Sequence, residues 1–80
     1  MMATKSDLVV WVQDALKDHG GIASIVEVAR HIWMNHEPDL RASGDMFYTW
    51  QYDMRWAAQR LVDKKILDKT TVRGQWRVIV

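Results

Sequence analysis

Apolar residues recur at helical spacing along most of the chain, and the longest such run is Asp45 to Val62, DMFYTWQYDMRWAAQRLV. At ~100° per residue, Phe47, Trp50, Met54, Ala57, Ala58 and Leu61 fall on one face, which predicts a helix buried on that side. The opposite face holds Tyr48, Thr49, Tyr52, Arg55, Trp56 and Gln59. A face turned only to water is expected to be Glu, Lys and Gln. This one carries three aromatics, a hydroxyl, an amide and a guanidinium, the composition of a contact surface. Taken singly, Trp56 or Tyr52 is explained as well by burial under a neighbouring element. The face as a whole is the stronger signal.

Before that run, Leu8, Val12, Ala15 and Leu16 form the inner face of an earlier helix, capped by Ser6 or Asp7 and ended by His19-Gly20-Gly21. Glycine stops a helix because it enters the left-handed region without steric penalty. Ile22 and Ala23 are at most a short extended bridge. Ser24-Ile25-Val26-Glu27 reads as a capping box that opens a second helix. Its apolar face is Ile25, Val28, Ala29, Ile32 and His36, with Val26 and Trp33 at one margin. The helix should stop before Pro38, since the residue preceding proline resists the helical region. Glu37 to Gly44 then reads as a polar loop, with Asp45 capping the third helix.

After Lys64-Lys65 the period changes. Ile66-Leu67 and Gln75 to Val80 read as two short strands, the second alternating Trp76, Val78 and Val80 with Arg77 and Ile79. Gly74 supplies the positive φ that a bend between them needs. Lys69, Thr71, Arg73 and Arg77 are spaced to line one ribbon, where such groups reach phosphates without reading sequence.

Helix, bridge, helix, helix, hairpin is the order of an α+β winged helix, in which the third helix enters the major groove and the hairpin wing touches the flanking backbone. Phe47, then MRWAAQRLVDKKIL (Met54 to Leu67) and RGQWRV (Arg73 to Val78), resemble the N-terminal winged helix of Mrr-type restriction-system proteins. The matching positions are Trp56, Ala57, Leu61, Ile66, Leu67, Arg73, Gly74 and Trp76. The closing Arg-Gly-aromatic strand is also similar to the HARE-type helix-turn-helix of DNA- and chromatin-linked proteins. The resemblance covers the second half of the chain well and the first half only in helix pattern. It implies a winged helix and a DNA partner. The C-terminal nuclease domain of Mrr proteins has no counterpart here.

Composition narrows the choice further. Eighty residues make one domain, 1–80, and such a chain buries only ~60–65% of its unfolded surface, so large side chains must build the core. Five Trp and five Met help to supply them. With no cysteine there is neither a disulfide framework nor a thiolate metal site. The apolar run Leu8 to Val12 is too short to span a bilayer, so no membrane partner is expected and a cytoplasmic setting is. Net charge is only +1, but residues 1–44 hold four Lys/Arg against six Asp/Glu, and residues 45–80 hold seven against four. The basic half is the half with the candidate contact helix.

Catalytic patterns are missing. A metal-dependent nuclease of the restriction class needs an Asp and a Glu-x-Lys. Glu27 is followed by Val28-Ala29 and Glu37 by Pro38-Asp39. His31 and His36 are five apart on one helix, about 140° around it, too far to share an ion easily. No phosphate-cradling glycine loop or triad arrangement occurs, so no metal, cofactor or enzymatic activity is expected. The expected function is DNA binding by a non-catalytic winged helix on double-stranded DNA. The rival is a winged helix that contacts a protein partner or forms a homodimer, since interface cores are rich in aromatics and poor in charge.

Overall fold

The computed structural model describes residues 3–79, and the element order is α1 (Lys5–Asp18), β1 (Ile22–Ser24), α2 (Ile25–Arg41), α3 (Met46–Asp63), β2 (Leu67–Asp68) and β3 (Gln75–Val78). Three helices and a small antiparallel sheet make an α+β fold of winged-helix type. Strand order in the sheet is β1-β3-β2, so the last strand lies at the centre. Ala23 pairs with Trp76, and Leu67 pairs with Val78. The bridge after α1 and the hairpin after α3 are thereby joined through one strand.

Helix α1 opens earlier than its sequence suggests, at Thr4 rather than Ser6 or Asp7. The Thr4 hydroxyl accepts from the Asp7 amide, and the Asp7 carboxylate accepts from the Thr4 amide at 2.9 Å. Asp7 thus completes a capping box instead of serving as the cap itself. The helix ends as expected at the glycines, Gly20 (φ +78) and Gly21 (φ +96), with the Gly21 amide donating to the Leu16 carbonyl. That satisfies a carbonyl the last turn would leave free.

The capping box of α2 is present, Ser24 and Glu27 exchanging bonds of 3.1 and 2.8 Å. These bonds hold the Glu27 carboxyl below its ordinary titration range, the Ser24 backbone amide contributing most. The helix does not end before Pro38. It leaves helical geometry at His36 (φ −133, ψ 17) and resumes as far as Arg41. Proline has no N–H to give the fourth preceding carbonyl, so a break is required. Once the chain has bent at His36, Pro38 stands in the first turn of the resumed segment, where no N–H is needed. Much of the expected Glu37–Gly44 loop is therefore helical, and Leu40 is fully buried. His36 stacks flat on Trp11 of α1, with ring centroids 3.8 Å apart.

Helix α3 begins where the sequence places it, but Asp45 does not cap it with its side chain and is itself in helical geometry. At the other end Lys65 takes a positive φ of 61°, letting the Ile66 amide reach the Leu61 carbonyl. Strand β2 is Leu67–Asp68, one residue later than Ile66-Leu67. Strand β3 ends at Val78; Val80, counted in that strand from sequence, lies outside the described residues.

One core joins Leu8, Val12, Ala15 and Leu16 of α1, Val28, Ile32 and Leu40 of α2, Trp50, Met54, Ala57, Ala58 and Leu61 of α3, and Ala23, Leu67 and Trp76 of the sheet. Helix α3 packs chiefly against α1. No helix among the described residues is long and apolar enough to cross a membrane.

Candidate nucleic-acid interface

Because Trp50, Met54, Ala57, Ala58 and Leu61 fix one side of α3 in the core, the opposite side is presented outward. Tyr48 is 83% exposed and Tyr52 77%, one turn apart, and Trp56 continues the row at 38%. Thr49 and Arg55 are exposed and Gln59 is half-buried. Phe47, placed on the buried face by its phase, is half-buried with its ring edge-on to Tyr48.

These side chains differ in how free they are. Arg55 has no hydrogen-bond or ion-pair partner among the described residues. Thr49 donates its hydroxyl at 2.8 Å to the carboxylate of Asp53, which is 4% exposed and also 3.6 Å from the Lys5 ammonium. Gln59 donates to Asp63 and accepts from Lys69 of the wing at 2.5 Å. Through that last bond the wing is brought against the outer face of α3.

The wing is organised by Asp68. Its carboxylate accepts from the Thr71 hydroxyl, from the Thr70 amide and hydroxyl, and from the Arg77 guanidinium at 3.2 Å. Those donors hold the Asp68 carboxyl well below the usual carboxylate range, Thr71 first among them. The turn closes at Gly74, whose φ of +77° is open to glycine at no cost. Thr71 and Arg77 are thereby engaged within the hairpin. Arg73, beside the glycine, is exposed and without a partner among the described residues.

Several cations that the sequence did not single out join this surface. Lys5, at the start of α1, lies 5.5 Å from the centre of the Trp56 ring, and Arg60 lies 5.9 Å from it. Lys64 and Lys65, at the end of α3, are exposed. The spacing of Arg60 and Lys64, one turn apart in a helix otherwise read for its aromatics, could have flagged that pair. Lys5 could not be found this way, since only tertiary packing carries it to α3. Of the four acids of the second half, Asp53 is buried beside Lys5 and Asp68 is taken up by its own turn and Arg77, while Asp45 and Asp63 are exposed.

No group of three or more His, Asp or Glu among the described residues is placed to hold a metal ion. His31 bonds Asp18 at 2.8 Å and lies edge-on to His19, while His36 stacks on Trp11. Burial lowers the His36 pKa from its ordinary value. Compared with known proteins, the chain matches no family model, no curated protein and no solved structure.

Proposed function

We propose that the chain is a non-catalytic winged-helix module that binds double-stranded DNA, with α3 in the major groove and the wing on the phosphate backbone. The observation that supports this best is the surface shared by α3 and the wing. Tyr48, Tyr52, Arg55 and Trp56 project from the helix, and Lys69 meets Gln59 beside them. Arg55, Arg60, Lys64, Lys65 and Arg73 supply exposed positive charge around that surface. In this reading, Arg55 and Gln59 meet base edges, and Arg73 and the lysines meet phosphates.

The affinity of such a module is mostly electrostatic. About three to five phosphate contacts give a log–log salt slope of about −3 to −4 for duplex DNA. Titration of a labelled duplex at increasing salt measures it directly, with the amides of residues 48–59 followed by NMR. A flat salt response, or unshifted amides in that segment at low salt, would sink the proposal.

A second reading is supported by the exposure of Tyr48 and Tyr52, since adjacent aromatics suit a protein interface as well as a groove wall. In that case α3 would meet a protein partner or a second copy of this chain. Loss of self-association in ultracentrifugation on replacing both tyrosines by Ser, with no DNA binding to lose, would favour it.

A further inference from the structure

Helices α2 and α3 diverge beside the core and leave a groove of about 580 Å3 between them. Trp50 and Met54 form its floor with Ala29, while Trp33 and Phe47 wall one end. Ile25 and Val26 extend it toward the start of α2, and Val26 is 64% exposed there. The indoles of Trp33 and Trp50 lie nearly parallel, with centroids 6.1 Å apart. This volume falls within the ~300–1,000 Å3 of sites that engulf a small ligand or a few anchoring side chains.

The rims carry one sign of charge. Arg30 stands on the α2 bank and Arg55 on the α3 bank; neither forms an ion pair among the described residues, although the Glu27 carboxylate, one turn before Arg30, feels its charge. Arg41 lies over the rings of Trp33 and Phe47 and is tied to Glu37 at 2.8 Å. No Asp or Glu lines the groove. From this pairing of an apolar trough with two exposed arginines that form no ion pair, we infer that the α2–α3 groove captures a short acidic segment of a protein partner, anchored by an aromatic or Leu side chain.

Charge complementarity selects the flanks of that segment. A neutral or basic occupant would cover Arg30 and Arg55 without giving them a carboxylate, and burying an unpaired guanidinium is costly. Chemistry of the lining selects the anchor. Between the two arginines the lining offers mostly apolar surface, with Gln51 the one amide side chain among the described residues, and a nucleobase, which stacks on indoles and bonds arginine, is the competing occupant that the oligonucleotide below tests. An apolar side chain needs no polar partners. The segment would lie along the groove as an amphipathic peptide, its apolar face inward and its acids toward the arginines. This inference does not depend on DNA binding, which uses the outer face of α3 and the wing. Arg55 borders both surfaces, so Arg30 is the discriminating residue.

The test is an NMR titration of the whole chain with a synthetic peptide bearing a central Leu-Phe pair flanked by Asp and Glu. A second peptide replaces those acids with Lys, and a short single-stranded oligonucleotide is the third probe. The acidic peptide should shift the indole N–H signals of Trp33 and Trp50 and the Met54 methyl, and bind roughly tenfold more tightly than the basic one. Arg30→Glu, which leaves only Arg55 opposite a new carboxylate, should abolish most of that preference, and Val26→Asp should weaken the acidic peptide. Both positions are exposed, so the variants keep the fold. Absent shifts with the acidic peptide, equal binding of the two peptides, or shifts produced by the oligonucleotide alone would each overturn the inference. Duplex binding, followed at residues 48–59 and Arg73 in the same sample, can succeed or fail independently.

Discussion

Thr49 sits on the outward face of α3, where its hydroxyl could serve DNA, yet it is bonded to a buried carboxylate beneath that face. Thr49→Val separates the two roles, because valine keeps the branched shape and removes only the hydroxyl. Asp53 would lose its one hydrogen-bond donor among the described residues, leaving the Lys5 ammonium at 3.6 Å. A hydrogen bond to a charged group contributes ~1.5–3 kcal/mol, and Lys5, largely in solvent, offsets little of the loss. A chain of this size has a total stability of ~4–12 kcal/mol at the usual stability per residue. The change therefore removes a sizeable fraction. At ~4–8 °C per kcal/mol, the melting temperature should fall by roughly 6–24 °C. Thr49→Ser, which retains the donor, should recover most of it. In a double-mutant cycle with Asp53→Asn, the coupling should be ~0.5–3 kcal/mol. Calorimetry of the four proteins of the cycle and of Thr49→Ser measures these quantities. An unchanged melting temperature in Thr49→Val, with DNA affinity reduced, would refute this account and assign the hydroxyl to the ligand.

Three further outcomes are expected. Leu40→Ala, in the turn beyond Pro38, should cost ~2–5 kcal/mol in denaturant unfolding, against under ~0.5 for the exposed Met34→Ala, and equal effects would show that this turn is not docked. Burial lowers the His36 pKa, so the neutral ring is the form the fold favours, although Asp39, Asp14 and Asp7 pull the other way. Its contribution should be complete above the ordinary histidine value and lost as pH falls through it, so thermal melts between about pH 7 and pH 5 should drop less in His36→Phe than in the natural chain. Arg73→Ala should weaken all duplexes alike and flatten the salt slope by roughly one unit, whereas Arg55→Ala or Gln59→Ala should reduce preference among duplexes by ~1–3 kcal/mol in competition binding.

The sequence by itself determined the element order and the phase of α3. Local rules suffice for both, because the 3.6-residue period fixes which side chains share a face and glycines at 20, 21 and 74 mark where the chain must turn. The capping box at Ser24 was legible for the same reason, since both of its partners lie within one turn. Tertiary structure decided the rest. Whether Pro38 ended α2 or only bent it depended on Leu40 finding a place in the core and on His36 stacking on Trp11, contacts that the residues around the proline do not contain. The composition of the candidate surface was decided in the same way. Thr49 could be placed on the outer face by counting, but the buried carboxylate that engages it is set by packing against α1, which also brings Lys5 over Trp56. Periodicity reports the direction in which a side chain leaves its own helix, and only the fold supplies the neighbour it meets there.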